Sequence, residues 1–150
     1  MSKLMGELSD DELRERAFRR IACVLWSFWD EQQHVVPRAA RVSTRVFDHL
    51  IYEGLIFLGT SVNGGGHVEH VVPCVFIRDR AFDMFWDGKT QADVALMVGR
   101  LLRVAHITKE EAHRIDHELE HKTVMPLGWD SETGSILARL ELAGIQLATQ

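Results

Sequence analysis

The sequence predicts a mainly α-helical protein with one small β-hairpin, an α+β domain of about six helices. Three observations carry that expectation. Ser9-Asp10-Asp11-Glu12 and Thr108-Lys109-Glu110-Glu111 are capping boxes, each opening a stretch with helical apolar spacing. Leu55-Ile56-Phe57-Leu58 and His67 to Val72 are short, turn-bounded segments that suit two strands joined through a glycine-rich turn. A chain of 150 residues, 46% hydrophobic and 26% charged, has the size and balance of one globular domain with a real core.

Taken in order, residues 1–8 are expected to be a flexible lead-in. Leu13, Ala17, Ile21, Val24, Leu25 and Phe28 then predict an amphipathic helix from Ser9 to about Gln32. Pro37 punctuates the chain. Ser43 or Thr44 caps a second helix with Val46, Phe47, Leu50 and Ile51 on one face, ended by Gly54. The hairpin follows, with Gly59 to Gly66 as its turn. Pro73 suits the first position of a third helix that runs through Trp86 and closes at Asp87-Gly88. Thr90 with Asp93 opens a fourth helix, carrying Val94, Met97, Val98, Leu101 and Leu102 toward the core. The second capping box starts a fifth helix that reaches about Leu119. Met125 to Trp129 is a loop, and Ile136, Leu137, Leu140 and Leu142 support a last helix ending at Gly144.

Composition narrows the function classes. No apolar run approaches the roughly 20 residues that span a bilayer, so no membrane partner is expected. Met1 to Asp11 lacks the apolar stretch of a secretory leader, and the expected location is cytoplasmic. Cys23 and Cys74 read as reduced, largely buried thiols rather than a disulfide framework. A net charge of -5 argues against a broad electrostatic grip on nucleic acid, leaving local patches such as Arg38, Arg41 and Arg45. Four tryptophans and seven phenylalanines are enough to leave a dimerisation patch.

Reactive groups concentrate in Gly64-Gly65-Gly66-His67-Val68-Glu69-His70-Val71-Val72-Pro73-Cys74. Strand alternation sets His67 and Glu69 on one face and His70 on the other, so this stretch builds no site alone. A second cluster runs from His113 to Lys122. On a helix, His113, His117 and His121 lie four apart, as do Asp116 and Glu120, the spacing with which one helix face chelates a metal. If the clusters meet, Glu69 and His70 join His113, Asp116, His117 and His121 around one divalent ion. Cys74, at a helix start among apolar neighbours, reads as a packed thiol rather than a nucleophile.

Glu69-His70-Val71-Val72-Pro73 resembles the first segment of the HNH nuclease family, and the histidine helix would supply its later histidine. The resemblance implies a ββα-metal site cleaving phosphodiesters, with His70 as general base, Glu69 as a metal ligand and one divalent ion as cofactor. The family's middle asparagine has no counterpart after Pro73. A different resemblance covers Arg41 to Val72, which is similar to the recognition helix and wing of winged helix-turn-helix proteins. It implies a non-catalytic DNA-binding module with Arg41 and Arg45 on phosphates. A third class is a small protein-binding inhibitor of the kind mobile elements carry, whose partner would be a nucleic-acid-binding protein. The expected function is thus a small metal-dependent hydrolase, with the two interaction classes as alternatives.

Overall fold

The computed structural model describes residues 6–35 and 42–148. Its helices are α1 (Asp10–Gln32), α2 (Val46–Leu50), α3 (Cys74–Trp86), α4 (Gln91–Leu101), α5 (Lys109–His113) and α6 (Ala138–Leu142). Its strands are β1 (Phe57–Thr60), β2 (His67–His70) and β3 (Val104–Ile107). The mainly helical α+β class and the six helices match the sequence reading.

Capping chemistry starts the helices where the sequence indicates. Ser9, Thr90 and Thr108 each accept a bond from the backbone N–H three residues on, and Glu12, Asp93 and Glu111 reach back. Pro73 serves as the N-cap of α3 rather than its first helical residue. At the other end of the chain, α6 stops in a Schellman turn. Gly144 takes φ 72°, and the Ile145 N–H bonds to the Leu140 carbonyl at 2.9 Å.

The hairpin is where the expectation needs correcting. Strands lie at β1 and β2, but they do not pair with each other: the sheet order is β1-β3-β2. β3 runs parallel to β1 and antiparallel to β2, with Glu69 opposite Ala105 and His70 opposite Val104. Val104, Ala105 and Ile107 are fully or almost fully buried, as a central strand demands. Three apolar residues and a histidine between a helix end and a capping box carry too short a pattern to be told from a helix tail.

The glycine-rich connection is tied down rather than projecting. Gly64 and Gly66 take φ 110° and 121°, which only glycine adopts readily. Val62 N–H bonds to the Gln146 carbonyl at 2.9 Å, and Ala148 N–H to the Thr60 carbonyl at 2.8 Å. Glu111 fastens it from below. Its carboxylate accepts from Ser61 Oγ at 2.8 Å, Asn63 Nδ2 at 3.2 Å and the Thr108 N–H at 2.9 Å. Burial pushes this carboxyl up, yet the bonds from Thr108, Ser61 and Asn63 outweigh it and hold Glu111 below its ordinary 4.5. Its stabilising contribution is therefore present above pH 4.5 and lost as pH falls through the lowered value. Glu111→Ala should cost about 2–4 kcal/mol, since it strands three donors. Urea denaturation at neutral pH measures this, and a loss no larger than that of an exposed helix residue contradicts it.

The core is one cluster between α1, α3, α4 and the sheet. Ala17, Phe18, Ile21, Ala22 and Leu25 form the buried stripe of α1. Leu13 and Phe28, expected on that face, are 39% and 38% exposed and lie outside the buried stripe. Each fully buried Ile or Leu contributes about 1.5–3 kcal/mol. Cys23 is exposed and Cys74 half-buried, both unbridged, which corrects the expectation of two buried thiols.

Candidate functional site

β2 carries the site residues, and alternation along it decides their roles. His67 and Glu69 share a face, with His67 Nε2 3.0 Å from Glu69 Oε2. The other Glu69 oxygen, Oε1, lies 3.2 Å from Arg139 Nη1. Arg139 is 1% exposed. Its guanidinium donates to the carbonyls of Val71 at 3.3 Å, His121 at 2.8 Å and His70. Burial lowers its pKa, opposed by Glu69 and Asp116. One buried cation thus joins the end of β2 to the chain after α5.

His70 points away from that pair. Its Nε2 lies 3.8 Å from Asp48 Oδ1 on α2. Burial pushes the imidazole below its ordinary 6.5, only partly offset by Asp48, Glu69 and Glu53. The ring is consequently neutral at pH 7, the form that accepts a proton. His70 borders two spaces. One, about 370 Å³, has Asp48 and Glu53 over an apolar floor of Phe47, Ile51, Ile56 and Leu102. The other is a cleft of about 240 Å³ shared with Glu69, Cys74, Asp116, Lys122 and Arg139.

The two sequence clusters meet at this cleft through Asp116 alone among the four helix residues proposed as ligands. A π-helical turn over Arg114–Glu118 follows α5, and Glu120 then takes a left-handed φ of 57°. The His121 N–H reaches back to the Ile115 carbonyl at 2.9 Å, so His121 has left the helix. The expected ladder of three histidines is broken after its second member, and Glu120 no longer pairs with Asp116 at helical spacing. His113 and His117 stack on each other, both exposed, with ring centroids 4.5 Å apart. Glu120→Gly should raise stability by about 0.5–1 kcal/mol, the left-handed penalty less the entropy glycine adds to the unfolded chain. An unchanged or lower denaturation midpoint would contradict a strained Glu120.

These donors do not fit the metal set read from the sequence. Both Glu69 oxygens are taken, by Arg139 and His67, so ligation by Glu69 requires opening a buried ion pair. Among the described residues no group of three or more His, Cys, Asp or Glu side chains could hold a metal ion. Burial, then Asp48, pushes the Cys74 thiol up to about 12, the reverse of an activated thiolate.

Of the two nucleic-acid candidates, the structure describes Arg45. Arg41 lies outside the described residues. Arg45 is exposed at the start of α2 and makes no side-chain capping bond. With α2 only five residues long and β3 between β1 and β2, the recognition helix and wing are not formed.

Sequence reasoning passed over Arg139, Asp48 and Glu53. For Arg139 a signal existed: it occupies the apolar face of α6, beside Leu140 and one turn before Ala143, where a charge demands a buried partner. Asp48 and Glu53 carried none, since acidic residues on a short helix and turn look like solvated surface. No family model, curated protein or solved structure matches the chain. The fold and site define a small α+β protein with a histidine-centred cleft.

Proposed function

We propose that the protein is a small hydrolase acting on phosphodiesters, with His70 as the general base that takes a proton from attacking water. The observation that carries this is a neutral, half-buried imidazole backed by Asp48 and bordering a cleft that also holds Lys122. Lys122 has no carboxylate partner among the described residues, so its ammonium is free to receive an anionic ester oxygen. Arg139, held by Glu69, fixes the backbone at His70 and Val71.

The test is hydrolysis of a phosphodiester dye and of labelled DNA by wild type and His70→Gln, each with magnesium, manganese, zinc or a chelator. Turnover that falls about a hundredfold or more in the variant supports the base role. No wild-type turnover in any arm removes the reading. Turnover only with an added ion would return Asp116 to a ligand role.

A second reading, a protein-binding module, is favoured by one feature. Fully exposed Leu127 and half-exposed Val124 flank a groove of about 650 Å³ lined by Phe76 and Trp129. It becomes the better account if the wild type is inactive.

A further inference from the structure

A second groove, sharing no lining residue with the two spaces that border His70, lies against α1 and α4. It opens between the two helices with a volume of about 470 Å³, within the size range of small-ligand sites. Its floor is apolar. Gly99 makes that floor possible, because a Cβ there would meet Phe18 Cδ2 at 2.9 Å, so the ring lies directly against α4. Leu96, 73% exposed, forms one wall.

The rim is dominated by guanidinium groups. Arg103 sits over the Phe18 ring, 5.6 Å from its centroid, and spends one N–H on the Leu102 carbonyl at 2.7 Å. Arg14 faces it, with its charge met by Asp11 and one N–H given to the Leu55 carbonyl. Neither Arg103 nor Arg19 has a carboxylate partner among the described residues, and Glu15 is the remaining acid on the rim. Burial and then the repulsion of Arg14 push Arg103 below the ordinary arginine value, with no carboxylate opposing the shift. Asp11 already meets the Arg14 charge, so Arg103 is the half-buried cation of this groove that lacks a carboxylate partner among the described residues. A planar fork with free N–H groups beside an apolar floor is the recognition chemistry for a carboxylate or sulfonate on a hydrophobic body.

We propose that the groove between α1 and α4 binds a small organic anion with an apolar body, its charge held by Arg103 and its body resting on Phe18 and Leu96. The probe is anilinonaphthalene sulfonate, titrated into the folded protein by fluorescence and calorimetry at constant salt. Arg103→Gln removes the charge. Leu96→Glu sets a carboxylate at the wall from an exposed position, where folding is undisturbed. Saturable binding by the wild type that weakens about tenfold or more in both variants is expected, the worth of one charge-assisted hydrogen bond. A smaller loss in either folded variant, or no saturable binding by the wild type, overturns the proposal. Circular dichroism checks folding, and if Arg103→Gln does not fold, Leu96→Glu decides alone.

Discussion

Arg139→Met is expected to lower the unfolding free energy by about 3–5 kcal/mol, roughly 10 °C in Tm for a chain of this size. The cause is asymmetry. Arg139 is 1% exposed and Glu69 8% exposed, so removing the cation leaves a buried carboxylate with His67 as its remaining partner. The carbonyls of Val71, His121 and His70 lose their donor at the same time. A paired change, Arg139→Met with Glu69→Leu, should recover much of the loss, because the buried charge goes with its partner. Urea denaturation of both variants against wild type measures the coupling. Equal or greater destabilisation in the double variant would mean that the carbonyl bonds, not the ion pair, make Arg139 necessary.

The second large effect is on turnover and follows from the proposed hydrolase. His70→Gln should reduce the rate by about two to four orders of magnitude while leaving the fold intact. pH supplies a sharper readout. A base must be neutral, and burial lowers the His70 pKa below 6.5, so the acidic limb of the rate profile should fall below pH 6.5. Asp48 is the largest influence raising that pKa. Asp48→Asn should therefore move the limb to still lower pH and reduce the rate by about tenfold, through lost orientation of the ring. A limb that stays in place in Asp48→Asn would show that another group titrates. Stability follows the same sign. The unfolded chain binds the proton more readily than buried His70, so its contribution is full above pH 6.5 and is lost as pH falls through the lowered folded value.

Much of the fold was legible from local chemistry. Three capping boxes located the starts of α1, α4 and α5, because a Ser or Thr and an acid three residues later satisfy orphan backbone donors wherever the chain goes next. Gly144 marked the end of α6 for an equally local reason. Alternation placed His67 and Glu69 together and His70 apart, and the 3.0 Å contact between the first two bears this out. Two local readings misled. The histidine ladder assumed a regular helix through His121, whereas a π turn and left-handed Glu120 end it early. The hairpin assumed that neighbouring strands pair, which is the common outcome but not the one here.

Spacing and capping were sufficient for the helix starts, for two of the three strands and for the face each β2 side chain takes, since these depend on residues within one or two turns. They could not reveal β3 between β1 and β2, for strand order is settled by which apolar edges find each other across forty residues of chain. Nor could they show that Glu69 is spent on Arg139, seventy positions away, and His70 matched with Asp48. A carboxylate in a sequence offers two oxygens to any partner, and only tertiary packing decides which partner takes them.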